Sequence, residues 1–507
     1  MGNWHRNVTT SLEETAARDT FLETIESMLE LKLKRTEFGE RVVFKRLACP
    51  PVWVVAILGG CILNLKLPIA KAQTSPSITT SSIQLPTSTD PLAAALTPKP
   101  VIPGSAAPVP KIGAQFPAQN GKFQEFMPTS DAIRMFESRI SANPLDHYSM
   151  VIAAQLYLRE GREKSQHRSF EQAEILLRRA IDVAPDNINA NTWLVSALVS
   201  QHKFQSAVDQ SDAALKLSPE NQLLLSARGD ALLEMGRIDE AEKIFSEIGK
   251  SINTPGVLAR QARVLELRGH LDQAIELINK ALQESIEFDE RPQTTAWYDY
   301  RLAELHLGQG RLPEAEKHAL NGLTRNPGDP KLTKSMARVL AARGELRKSR
   351  RVYETLIQLE TSPTSMAEYA ELLQRMGEHQ LAAKWLENAD RLMVRELATT
   401  GTAHFRDRAV FLLDNNRDPS QALELAQQDL NSRQDIFAHD TLAWAQLKSG
   451  QPQQALESIQ TAIRLGTRDA KLYYHAAEIA RVCELPEQAT TWLALAKEIN
   501  PHASFLQ

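Results

Sequence analysis

The residues of this 507-residue chain that could carry chemistry are few and lie apart. Its 12 histidines stand singly, and none forms the His-Glu-x-x-His spacing that puts two zinc ligands and a general base on one helix face. His439 and His475 read as residues that line or cap helices. The cysteines, Cys49, Cys61 and Cys483, are too few and too far apart for a disulfide framework or a paired-cysteine metal site. Cys483 has only Arg481 as a basic neighbour in sequence and reads as a small buried apolar residue. The glycine patterns that cradle phosphates, G-x-x-x-x-G-K-S/T and G-x-G-x-x-G, are absent, as is the G-x-S-x-G nucleophile elbow. The expectation is a protein that is not an enzyme, with no catalytic residue, no cofactor and no metal.

What the chain has instead is a recurring element. Gly236-Arg237-Ile238-Asp239-Glu240-Ala241 spells a short turn followed by an amphipathic helix. The same frame begins at Gly269, Gly310, Gly344, Gly377 and Gly450. The second helix of each pair carries a small residue near its start: Ala173, Ala207, Ala241, Ala274, Ala315, Ser349, Ala382, Ala422, Ala455 and Ala489. Successive intervals are 34, 34, 33, 41, 34, 33, 40, 33 and 34 residues, which is the signature of a stacked-repeat architecture. The two long intervals place insertions at 284–292 and near 397–403, and a polar loop is expected at 160–168.

The physical reason for the small residues is steric. Two antiparallel helices of about three turns approach closely only where their side chains are small. Gly229, Ala262, Ala303, Ala337, Ala370, Ala443 and Ala477 are the matching small positions in the preceding helices. Phe245, Leu265, Tyr353, Leu386 and Leu493 are expected to fill the space between neighbouring pairs. No single pair can bury its apolar face, so the stack is the folding unit.

The rest of the chain divides by composition. Residues 1–42 are polar, and translation could equally begin downstream, near residue 42 or 43. Lys45-Arg46, an apolar run at 47–65 and the small-x-small end at Ala70-Lys71-Ala72 form an export signal, so 43–72 is read as a signal peptide or as a retained membrane anchor. Leu58-Gly59-Gly60-Cys61 also resembles a lipoprotein box. Residues 73–128 are rich in Pro, Ser, Thr and Ala and lack the periodicity to repay ordering entropy, so they read as a disordered linker. Net charge is -4, which gives no bulk drive toward nucleic acid.

Spacing, small residues, glycine turns and the closing prolines Pro185, Pro219, Pro327 and Pro501 together resemble the tetratricopeptide repeat family over 129–507, in about ten units. Asp440-Thr441-Leu442-Ala443-Trp444 through Asn500-Pro501-His502 is similar to the ends of bacterial multi-repeat proteins of this kind. The resemblance implies an all-α fold, a right-handed α–α superhelix with a concave groove lined by first helices, preceded here by a single N-terminal hydrophobic helix. It implies binding of a protein or peptide partner in that groove.

On the family geometry, the groove residues are Asp230, Arg263, Trp297, Tyr300, Glu304, Lys334, Arg338, Glu371, Asp407, Trp444, Tyr474 and Glu478. Trp297 with Tyr300, and Trp444 with Tyr474, are the candidate aromatic anchors. Some members of the family grip a C-terminal carboxylate with lysines and asparagines. Lys331, Lys334 and Arg338 supply the charge here, but Glu368 and Glu371 stand where asparagine would, so no such clamp is expected. The reading is an exported or membrane-anchored scaffold of the bacterial envelope, with membrane contact through 47–65 if that segment is not cleaved. The alternative is a cytoplasmic sensor that binds a signalling peptide.

Overall fold

The computed structural model of the chain describes residues 127–164, 167–400 and 404–506. The expected export segment and linker lie outside the described residues. Helix α1 (Thr129–Ala142) precedes ten helical hairpins. The first five are α2 (His147–Lys164) with α3 (His167–Val183), α4 (Ile188–Ser200) with α5 (Phe204–Leu215), α6 (Gln222–Glu234) with α7 (Ile238–Ser251), α8 (Pro255–Leu267) with α9 (Leu271–Glu287), and α10 (Pro292–Gly308) with α11 (Leu312–Arg325). The second five are α12 (Pro330–Ala342) with α13 (Leu346–Leu359), α14 (Pro363–Arg375) with α15 (His379–Thr400), α16 (Phe405–Asp414) with α17 (Pro419–Ser432), α18 (Ile436–Lys448) with α19 (Pro452–Ile463), and α20 (Ala470–Val482) with α21 (Pro486–Ile499). No strand occurs among the described residues.

Local chemistry starts and stops these helices. The side chains of Asn187, Asn221, Asp329, Ser362, Asp435 and Asp469 cap first helices by accepting from backbone N–H groups one turn on. Proline stands in the first turn of α8, α10, α12 and α14, where its missing N–H costs nothing. From the second repeat on, each hairpin turn has a left-handed residue. Glycine supplies it in most repeats, but His202 and Glu484 adopt φ of 59° and Asn416 φ of 50° in theirs.

The small residues do what sterics require. Ala173, Ala207, Ala241, Ala274, Ala315, Ser349, Ala382, Ala422 and Ala455 are fully buried. Ala489, in the final helix with no repeat beyond it among the described residues, is half-buried. Ser349 takes the place of alanine because its hydroxyl donates to the carbonyl of its partner Ala337 at 2.8 Å. At Gly229 a Cβ would lie 2.4 Å from the Phe245 ring, so that hairpin needs glycine. Helix α1 is not free-standing: Ala132, Ile133, Phe136 and Ile140 are buried in the core shared with α2 and the repeats that follow.

One expectation is corrected, and the two insertions take helical form. The polar stretch at 160–168 is mostly helix, since α2 runs to Lys164 and α3 starts at His167. The extra residues at 284–292 extend α9 and α10 to 17 residues each, and Ser285 of the extension is buried and bonded to Thr295 at 2.8 Å. Residues 397–400 lengthen α15 to 22 residues. Helix-compatible sequence adds turns to a hairpin more cheaply than it builds a loop.

First helices of successive repeats touch one another, whereas second helices meet mainly their own partners and the next first helix. The first helices therefore form the inner wall of a coil and the second helices its outer wall. The coil returns to itself six repeats on. The turn of the third repeat at Gly236 abuts the Gln434 carbonyl that precedes the ninth. The turn of the fourth, at Gly269, abuts Gly466 ahead of the tenth, and Thr467 donates to the carbonyl of Leu267. The turn of the fifth, at Gly310, lies against Asn500, whose side-chain amide donates to the Leu307 carbonyl at 3.0 Å. Ile436, 1% exposed, is buried in the core of the first four repeats, with Phe437 and Leu465 packed beside it. Burying an isoleucine is worth about 1.5–3 kcal/mol, so this seam is an apolar contact as well as a polar one.

Candidate functional site: the inner wall

The inner wall has a register set by the buried small residue of each first helix. One residue after it, and three before it, side chains turn to the interior of the coil. In the eighth repeat the small residue is Ala409, fully buried, with Arg406 and Val410 at the two interior positions. In the ninth it is Ala443, with Asp440 and Trp444. Two adjoining cavities open there, and both are lined by Arg406 and Phe437. One of 260 Å³ lies over repeats eight to ten, between Asp414, Asp440, Trp444, Lys471 and His475. One of 360 Å³ lies at the seam, with walls from the second to fourth repeats and from the eighth and ninth.

Of the expected groove residues, Asp230, Arg263 and Trp444 line these cavities. Both carboxylate oxygens of Asp230 are held by Arg260, at 2.8 and 2.7 Å. Arg263 pairs with Glu266 at 2.7 Å and lies over the Phe437 ring. Glu304 accepts from Arg338 at 2.8 Å and from the Ser335 hydroxyl at 2.7 Å. Burial opposes its charge, but Arg338, the Ser335 hydroxyl and Lys334 together outweigh that and hold the carboxyl below its ordinary range. Lys334 stands 3.8 Å from Glu368, and Glu478 pairs with Arg481 at 2.8 Å. The register thus builds a ladder in which most charges stitch one repeat to the next. Glu371 is exposed and has no hydrogen bond or ion pair among the described residues.

The aromatic candidates are more engaged than the spacing suggested. Trp444 stacks on His475 at 4.2 Å and carries the Lys448 ammonium 4.7 Å from its ring. Tyr474 packs on Phe505 at 5.2 Å, beside Trp444 at 6.2 Å. Tyr300 is half-buried under Lys331, and burial pushes its hydroxyl up to about 12. Trp297, 39% exposed, keeps the most open ring surface of the four and meets Tyr298 edge-on. The lysines of a carboxylate clamp are committed as well: Lys331 to Tyr300, Lys334 to Glu368 and Arg338 to Glu304.

Asp407 sits off the interior register, two residues before Ala409, with His404 3.5 Å away, and Arg406 holds the position expected of it. Arg406, Phe437, Asp440 and Lys471 line the cavities and were missed. Arg406 bridges Asp429 and Asp435 at 2.9 Å each, and Lys471 reaches Asp414 at 2.8 Å. Counting 13 residues back from Ala422, instead of the usual 12, finds Ala409 and with it Arg406. The extra residue sits in the glycine-free turn at Asn416.

His475 is buried with Nδ1 2.9 Å from Asp440, and burial lowers the basicity of His439. Cys483 is half-buried, its thiol donates to the Pro452 carbonyl at 3.2 Å, and burial raises its pKa, away from thiolate chemistry. Among the described residues no group of three or more histidine, cysteine or acidic side chains could hold a metal ion, and no helix is long and apolar enough to cross a membrane.

Paired helices closed on buried alanines and wound into a coil define a helical-repeat solenoid. The chain carries tetratricopeptide repeats. Models of the tetratricopeptide repeat match residues 198–264, 296–320 and 441–504. A curated relative, interferon-induced protein with tetratricopeptide repeats 3 of Mus musculus, is 29% identical over 170 residues, which is 33% of this chain. The match spans 41% of that relative's length. Among solved structures, the human IFIT1 dimer with PPP-AAAA aligns at 18% identity and a TM-score of 0.40, over 63% of this chain and 73% of that one. A tetratricopeptide repeat protein from Parabacteroides merdae aligns at 16% identity and a TM-score of 0.39, over 51% and 96%.

Proposed function

We infer that this protein is a non-enzymatic scaffold that holds a polypeptide segment along the inner wall of its coil. The observation that carries the reading is the pair of adjoining cavities, 260 and 360 Å³, built from successive first helices where apolar side chains alternate with placed charges. Catalysis would need a nucleophile or base free to react, and the titratable groups lining the smaller cavity are tied to one another: His475 to Asp440 and Lys471 to Asp414. A photo-crosslinking residue at Glu371, on the inner wall, and a control at Glu276, on an outer helix, test the reading in the full chain. The expected result is a discrete polypeptide adduct from position 371 only. Equal adducts at both positions, or none, would overturn it.

We further propose, from the sequence at 45–73, that the scaffold is exported or anchored at the cell envelope. That segment lies outside the described residues. Fusing a reporter that works only outside the cytoplasm after residue 128 tests this part, and a silent reporter refutes it.

A further inference from the structure

The cavity at the seam has an unbalanced charge. Its lining carries three carboxylates, Asp230, Glu234 and Asp435, and two guanidiniums, Arg263 and Arg406. Two cations against three anions leave one negative charge over. The pairing identifies it. Asp230 is held by Arg260 and Asp435 by Arg406, while Arg263 is paired with Glu266. Arg433 stands 3.9 Å from Asp429 and is stacked on Phe204. Glu234 lines the cavity with no hydrogen bond or ion pair among the described residues.

A second feature acts on the same carboxylate. Glu234 is the last residue of α6, where the helix carbonyls already concentrate negative charge. Burial and the neighbouring Asp435 raise its pKa, while Arg433, Arg263 and Arg406 are too committed elsewhere to restore it. The same cavity wall is apolar along Leu233, Ile238, Leu267, Ile436 and Phe437.

We propose that this seam cavity is a binding site for an ammonium or guanidinium group carried on an apolar stem, with Glu234 as its counter-ion. The cation satisfies both Glu234 and the end of α6, and the methylenes pack on the isoleucine and leucine wall. The walls come from both turns of the coil, so an occupant joins them and stabilises the closed seam. The site does not depend on the occupant being a polypeptide: a lysine or arginine side chain and a free polyamine offer the same chemistry.

Calorimetric titration of the full chain tests it with three probes: the end-blocked peptide Ala-Leu-Lys-Leu-Ala, its norleucine counterpart, and spermidine. Saturable binding of the lysine peptide or of spermidine is expected, with the norleucine peptide at least tenfold weaker. Binding of the peptide alone marks a polypeptide as the source, and of spermidine alone a free amine. In either case Glu234→Gln is expected to weaken binding at least tenfold and to remove the ligand-induced rise in melting temperature, while Glu276→Gln, on an outer helix, leaves both unchanged. Glu234→Asp, which keeps the charge, should recover part of the binding. Absence of binding by both cations, or equal binding by Glu234→Gln, would overturn the proposal, and neither outcome bears on crosslinking from position 371.

Discussion

Gly236 and Gly344 hold the same place in their repeats, with φ of 73° and 78°, yet their surroundings differ. A Cβ on Gly344 would meet nothing within 4 Å, and the same is true at Gly377 and Gly450. A Cβ on Gly236 would lie 2.2 Å from the Gln434 carbonyl oxygen, and one on Gly269 would lie 2.3 Å from that of Gly466. The glycines of the third and fourth repeats thus serve two purposes, the left-handed turn and the close approach of the next turn of the coil. Those of the sixth, seventh and ninth serve only the first. One repeated motif carries two physical loads according to where the coil meets itself.

Removing the seam's apolar anchor should have the largest effect. Ile436→Ala empties a site that is 1% exposed and should destabilise the protein by about 2–5 kcal/mol, with faster amide exchange in both the first four repeats and α18. A large-to-small change confined to one turn of the coil would spread less far.

Acid should loosen the docked region next. His306, 7% exposed and stacked on His318, lies beside the Leu307 carbonyl that receives Asn500. Burial, with His318 and Arg311 nearby, lowers its pKa from 6.5 to about 4. The folded state therefore prefers neutral imidazole. Its stability is complete above pH 6.5 and falls as the pH drops toward 4, by roughly 3 kcal/mol in all. His306→Phe keeps a ring in the stack but cannot titrate, so its stability should fall less than the parent's between pH 6.5 and 4. Parallel curves would show that His306 does not titrate there.

Alanine at the two glycines sharpens the contrast itself. Gly344→Ala should cost about 1 kcal/mol for the left-handed conformation alone. Gly236→Ala should cost about 1–3 kcal/mol more, because the added methyl forces the seam apart. Denaturant midpoints measure both, and equal losses would mean that the docking contributes nothing. The smallest change runs the other way: Glu484→Gly relieves a left-handed glutamate and should raise stability by about 0.5–1 kcal/mol.

Much of the fold was legible in the sequence, because sterics write directly into spacing: Ala241, Ala274 and Ala315 recur at nearly constant intervals and are all fully buried. The seam was not legible. Thr467 meets Leu267 and Asn500 meets Leu307 across about two hundred residues, a register set by accumulated twist, for which no short motif exists. The inner wall was read in part. Asp230, Arg263 and Trp444 followed from counting off the small residue, whereas Arg406 was hidden by one extra residue in the turn at Asn416. The charges at Glu304 and Lys334 were placed on the right helices, but their pairing with Arg338 and Glu368 in the next repeat shows only in three dimensions.

Closure of the coil is tested most directly by crosslinking across it. In a chain whose own cysteines are replaced, His202→Cys with Arg433→Cys joins positions in side-chain contact though 231 residues apart. A short bismaleimide should link this pair rapidly within one molecule, while Gly344→Cys with Arg433→Cys stays unlinked. Equal, slow reaction of both pairs would contradict a coil that closes on itself.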